Sequence, residues 1–357
     1  LNNIISQVKR NCNISDAKFW GEYSICGLLL RLRELYRCEK GLKLWERVPQ
    51  EDISEWMSEK ENIWKELQNK ELEDLIIGGS VFGPFEVSDI NKRLEEENII
   101  YGAGYGIRKK PSFFLADLVS KRKIDGYEVY IAGNEYARDL ADYPAMIQDN
   151  IIFARIATTK LRIWERFEEL RVRDPKGPLS YAFSRYGINP HDEPSEDIEK
   201  KVSLTASSEI ETFIYHEIGE AIEDENLGEE WKELILELSG RKAEFFSRGI
   251  KDLLADTTEK GMINYIIKNQ KEGSLGFYIV FLDGYRRLLF PEIIKAFEKF
   301  IESGDWKIIE DARIEGYKKA KGYAERLLSI KREISDRLQL TEYIEKEIVD
   351  KIKAVKS

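Results

Sequence analysis

Apolar residues recur at three- and four-residue spacing over most of the chain, the pattern of helices that bury one face. Between Trp20 and Glu39, Ile25, Leu28, Leu32, Leu35 and Tyr36 share one such face. Cys26, Leu29 and Leu30 widen it until little polar surface is left, which predicts a central helix. Its Arg31, Arg33 and Arg37 must then find carboxylates or hold an anion, because a buried guanidinium needs a partner; pairing with internal Asp or Glu is the expectation. A second helix is predicted from Ile53 to Asn69, with Trp56, Ile63, Trp64 and Leu67 inward, and a short one from Ser88 to Glu97. The run Ile76 to Pro84, rich in glycine, is read as a break.

From residue 98 the texture changes. Ile99-Ile100-Tyr101, Ser112 to Lys123 and Tyr127 to Ile131 are strand-like, and Asp125-Gly126 between the last two is a strong hairpin signal. The predicted fold is therefore mainly α, multi-helical, with a small antiparallel β meander inserted near residues 98–133. Gly102, Gly104 and Gly106 beside Arg108-Lys109-Lys110 offer a phosphate cradle on paper, but no helix opens after them, as a dinucleotide site requires, and Pro111 intervenes. A glycine-bent strand is the expectation. The helical pattern returns at Glu135 to Asp142 and at Met146 to Leu170. Four of the nine prolines then fall between Pro175 and Pro194, marking an ordered connection or hinge over 174–197. The resulting plan is N-terminal helices (1–80), the β insertion (81–133), a helical bundle (134–340) and a helical tail (341–357), expected to be solvated or frayed.

Candidate chemistry is concentrated between Glu209 and Asp256, where a histidine and several carboxylates fall at helical spacing. At about 100° per residue, Ile210, Ile214, Ile218 and Ala221 form an apolar stripe, and Glu217 falls on its edge, pointing toward the core. A carboxylate there needs a partner or keeps its proton. His216 and Glu220, four residues apart, share the neighbouring face. These three residues make an acid, base or metal site: His216 and Glu220 as ligands of a divalent metal such as Zn, Mn or Fe, Glu217 as general base. The stretch reads as three helices, and on the third Arg248, Asp252 and Asp256 form a row that either closes over this site or faces water. Two functions follow, a metal-assisted hydrolase or a helical scaffold in which the cluster is a buried polar network tied to arginines such as Arg31 or Arg248.

Composition narrows the field. Lys and Arg number 56 against 66 Asp and Glu, a formal net charge of -10, which disfavours extended nucleic-acid binding. A protein partner or self-association stays open. Cys12, Cys26 and Cys38 are an odd number without zinc-site spacing; reduced thiols are expected, with Cys26 and Cys38 buried and inert. The chain opens without a charged-then-apolar leader and holds no apolar run of the ~18 residues a membrane span needs, so a soluble, cytoplasmic protein is expected. Only two histidines occur. That excludes a three-histidine metal site, and although His216-Glu217 starts like the His-Glu-x-x-His of zinc peptidases, Glu220 stands where the second histidine would be. Neither histidine is preceded by Glu at i−3, as di-iron carboxylate bundles require. His191, between prolines and acids, reads as surface.

Several stretches together, Tyr101 to Gly106, Pro144-Ala-Met-Ile-Gln148, His216-Glu-Ile-Gly-Glu220, Lys251 to Thr257 and Leu289-Phe-Pro291, resemble a family of uncharacterised bacterial and archaeal proteins of about this length. The resemblance covers Trp20 to roughly Ala320 and implies no activity, because none is assigned to that family.

Overall fold

The computed structural model describes residues 1–106, 109–172, 177–238 and 242–354. The chain divides into two compact units, Leu1–Arg171 with His191–Ile210, and Val172–Pro190 with Glu211–Ser357.

The first unit opens with three helices, α1 (Asn2–Phe19), α2 (Ile25–Lys40) and α3 (Gln50–Leu67). Ser24 starts α2 by accepting a hydrogen bond from the Gly27 amide, and Gly41, in the left-handed region at φ 67°, stops it. The predicted break is a two-stranded hairpin, β1 (Leu75–Ile77) and β2 (Ser80–Phe82), turning at Gly78-Gly79. Helix α4 (Val87–Leu94) follows. Strands β3 (Ile99–Tyr105), β4 (Pro111–Ile124) and β5 (Tyr127–Arg138) form the expected meander, with the β4–β5 turn at Asp125-Gly126, both at positive φ.

The sheet does not stop there, which corrects the small-insertion expectation. Strand β7 (Ile151–Arg155) pairs parallel with β5, and β6 (Ala145–Gln148) pairs antiparallel with β7, giving five strands in the order β3-β4-β5-β7-β6. Residues 135–138 and 146–155, read as helix from sequence, are largely strand. Every residue of β7 is buried. A strand covered on both faces loses the alternation that identifies strands, and its continuous apolar run is as readily read as a helix. Helix α5 (Ile156–Val172) begins immediately after it.

Glycine in β3 serves packing. A Cβ on Gly102 would lie 2.0 Å from the Phe114 ring, and one on Gly104 would lie 2.6 Å from Met146 Cε, so large side chains of the sheet lie across the bare backbone. Of the adjacent basic triplet, Arg108 is outside the described residues, and Lys110 is buried against Asp16 at 3.0 Å and Asp139 at 3.3 Å. Two of the α2 arginines pair with carboxylates as expected, Arg31 with Asp142 at 2.6 Å and Arg33 with Glu34 and Glu168, whereas Arg37 donates to the backbone carbonyls of Lys43 and Glu46. The helix itself is not central. Ile25 is 79% exposed, Leu29 48% and Leu30 47%, and Cys26 is exposed too; only the segment around Leu32 to Arg37 is covered.

The second unit consists of helices and their connections, with no strand among its described residues. It holds α6 (Pro178–Ser184), the part of α7 (Glu196–Glu237) from Glu211 onward, α8 (Lys242–Thr257), α9 (Met262–Lys268), α10 (Glu272–Phe281), α11 (Gly284–Leu289), α12 (Pro291–Ser303), α13 (Trp306–Glu333), α14 (Arg337–Ile344) and, after a π turn, α15 (Asp350–Ala354). Phe246, Phe290 and Phe297 are among its fully buried rings, and α10 is a core helix, with Leu275, Phe277, Tyr278 and Ile279 buried. Where it is described, the tail is not frayed: its Ile344, Ile348 and Val349 are buried in this core. Pro175 of the predicted connection lies outside the described residues. No helix among the described residues is long and apolar enough to cross a membrane.

Candidate functional site

Helix α7 is interrupted at Gly228, whose φ of 70° and ψ of -170° are not helical, so the region has the three helical segments its pattern predicts. Two of them touch through backbone. A Cβ on Gly219 would stand 2.2 Å from the carbonyl oxygen of Ala255 on α8, and only glycine allows this approach. One turn before Gly219 is His216, and one residue after Ala255 is Asp256. The contact brings them together, with His216 Nδ1 2.7 Å from Asp256 Oδ1. Gly219→Ala is therefore expected to wedge α7 from α8 at a cost of about 1–3 kcal/mol and to weaken the His216–Asp256 bond. Urea denaturation, with the imidazole followed by NMR, checks both effects.

Asp256 is fully buried. Its Oδ2 accepts from the Tyr278 hydroxyl of α10 at 3.2 Å and from Arg286 Nη1 of α11 at 3.5 Å. Burial alone would pull the His216 pKa down, but the charge and hydrogen bond of Asp256, with Glu217 and Glu220 close by, push it up to about 10. The imidazole is thus a cation at neutral pH, donating Nδ1–H to Asp256, and its Nε2 stands 3.9 Å from Glu220 Oε2.

Glu220 and Glu217 differ in their partners. Glu220 Oε1 accepts from Lys251 Nζ at 2.7 Å, and Lys251 reaches Asp224 at the same distance. Burial opposes ionisation of Glu220, yet Lys251 and His216 outweigh it and hold its pKa below the usual carboxylate value. Glu217 is half-buried and has no hydrogen-bond or ion-pair partner among the described residues. Burial, reinforced by the charge of Glu220, pushes it up to about 8. Asp252 stands on the same side; burial raises it to about 6 against the pull of His216 and Arg286.

The three predicted residues are brought together. His216, Glu217 and Glu220 each offer a donor atom, all within 4.8 Å of one another, the spacing of a metal ligand set. Of the α8 row, Asp256 closes under the site and Asp252 lies beside it. Arg248 pairs with Glu244 at 2.8 Å and Arg31 with Asp142, so neither bonds to the cluster as the scaffold expectation had it. Sequence reasoning did not find Tyr278 and Arg286. The available signal was Arg286, five residues after the strongly apolar run that ends α10 at Phe281, where a buried carboxylate would be needed. His191 is exposed, as expected.

No curated protein and no solved structure matches the chain. Residues 3–155 match the N-terminal domain, and residues 160–351 the C-terminal domain, of a family of unknown function, DUF6866. The first match ends with β7, and the whole candidate site lies in the second. By these two matches the chain belongs to the DUF6866 family, to which no function is assigned.

Proposed function

We propose that the helical unit holds a divalent metal ion, with Zn, Mn and Fe as candidates, on His216 Nε2 and Glu220, and uses it for hydrolysis with Glu217 as general base. The observation that carries this reading is the bond from His216 Nδ1 to fully buried Asp256. It fixes the ring and leaves Nε2 facing the carboxylates, the arrangement in which an outer carboxylate orients a ligating histidine and strengthens it as a donor. Glu217, unpartnered and with a pKa near neutrality, suits proton transfer. A bound metal would polarise a substrate carbonyl or phosphoryl group and activate water.

Because His216 must lose its Nε2 proton to ligate, metal affinity should rise with pH, and binding should release protons to the buffer. Calorimetry with Zn(II), Mn(II) and Fe(II) in buffers of different ionisation enthalpy measures this directly, with His216→Ala as control. No retained metal in untagged protein, together with no gain in melting temperature from any of the three ions, would sink the reading.

A second reading has its own support. Lys251 already bridges Glu220 and Asp224, and Arg286 and Tyr278 complete Asp256, so much of the cluster is satisfied by its own cations. This is what a scaffold that fixes helix packing would need, with another protein or a second copy as its partner. Glu217, which a closed network has no use for, is the residue that favours the metal site.

A further inference from the structure

The first unit contains a separate concavity of about 630 Å³, within the size range of small-molecule sites. It is bounded by α2 and the turn after it, the β4–β5 ribbon, α5 and the start of α7. The pairing of β4 with β5 shifts register between Leu115 and Ser120, the stretch whose Asp117 and Val119 line the cavity, and such bulges bend a strand from its regular path, often beside functional sites. Four basic and four acidic side chains line the cavity, together with an apolar strip that includes Leu42, Ile156 and Leu161.

On its inner wall Glu34 of α2 and Arg138 of β5 are each more than nine-tenths buried, and each has one atom without a hydrogen bond, Glu34 Oε2 and Arg138 Nη1. The nearest opposite charges stand too far off to bond, Arg37 Nε at 3.8 Å and Glu135 Oε2 at 3.6 Å. Those groups are occupied elsewhere. Glu135 is taken by Arg155 at 2.7 and 2.9 Å and by Thr158 at 3.0 Å, and Arg37 by two backbone carbonyls. A buried donor and a buried acceptor left over at one site are rare in folded proteins and call for an account. Both residues also border a void of about 20 Å³, large enough for one water. Such a water accounts for two hydrogen bonds but not for the larger cavity, its balanced charges or its apolar strip.

We propose that this cavity binds a small zwitterion carrying a carboxylate and an ammonium group, a free α-amino acid or a close analogue. The carboxylate accepts from Arg138, the ammonium donates to Glu34, and the side chain lies along Leu42, Ile156 and Leu161. A ligand with no net charge matches a wall with equal numbers of acids and bases, and its two ends match the buried donor of Arg138 and the buried acceptor of Glu34 left without hydrogen bonds.

The test titrates the full chain calorimetrically with the free amino acids one at a time, then with the N-acetyl and carboxamide derivatives of any that bind. At least one amino acid should bind, and each derivative should lose at least about tenfold, the loss of one charge-assisted contact. In Arg138→Gln the penalty for amidation should vanish while that for acetylation stays. Since that variant disturbs buried charge, Ala157→Phe, which fills the cavity without touching a charge, supplies a second arm: it should abolish binding and keep the melting temperature. Failure of every amino acid to bind, derivatives that bind as well as the parent, succinate binding in preference to any amino acid, or Ala157→Phe leaving binding intact would each overturn the proposal, leaving an interior water as the occupant of the small void.

Discussion

Replacing Asp256 with alanine is expected to destabilise the helical unit by roughly 3–5 kcal/mol, the usual cost of breaking a buried ion pair from one side. Three groups lose their common acceptor: the His216 imidazole, the Tyr278 hydroxyl and the Arg286 guanidinium. Arg286 cannot shed its charge and is left without its buried carboxylate. His216 can, and with Asp256 gone burial becomes the dominant influence and lowers its pKa. The effect has a defined pH window. The folded His216 pKa, about 10, lies above its ordinary 6.5, so its contribution is full below 6.5 and is lost as pH rises through 10. In Asp256→Asn, which keeps the shape and one acceptor oxygen, that slope should flatten while part of the stability survives. Urea denaturation across the pH range reads both; an alanine variant within about 0.5 kcal/mol of wild type would mean that Asp256 does not hold this cluster together.

Glu217→Gln is expected to act in the opposite direction. The folded carboxyl keeps its proton up to about pH 8, whereas an ordinary glutamate loses it near 4.5. Over that interval the unfolded chain binds fewer protons than the folded one, so Glu217 lowers stability progressively as pH rises. Glutamine does not titrate. The variant should match wild type below about pH 4 and gain roughly 2–4 kcal/mol above about pH 8, while losing any hydrolysis that depends on Glu217 as base. A stabilised but inactive variant is the expected result for a residue kept for chemistry at the expense of stability. Equal stability at both pH extremes would show that Glu217 is not held in an environment hostile to its charge.

Helix faces were legible in the sequence wherever a stripe was narrow. The pairing of His216 with Glu220 needed only the spacing of four, and the placement of Glu217 on a stripe edge agrees with its half-buried position. What periodicity does not reveal is whether a stripe is covered. Ile25, Leu29 and Leu30 look as inward as Leu32 and Leu35, and only the absence of a packed neighbour leaves them in water. Helix α1 was not singled out for the converse reason: its buried face includes Asn11, Ser15 and Asp16, which look like surface until their bonds to the Glu73 and Pro111 carbonyls and the Leu140 amide are seen. Strand β7 hid behind its own burial. At the candidate site, Asp256 shared a motif with Lys251 and was read as part of a row, but Tyr278 and Arg286 arrive from later helices, and no local pattern reports a contact made only in three dimensions.

The first unit is assembled from two separate stretches, Leu1–Arg171 and His191–Ile210, and this bears on how the protein is made. A chain growing from its N-terminus has all five strands of the sheet once Arg155 has been synthesised. It cannot complete that unit until Ile210 has emerged, by which time Val172–Pro190, a part of the other unit, is already waiting. Nor is the gap between the two family matches, after residue 155, a place to cut. A fragment ending there would lose α5, whose Ile163, Trp164, Phe167 and Leu170 are buried in the whole protein, and would be released with part of its hydrophobic interior still to be supplied.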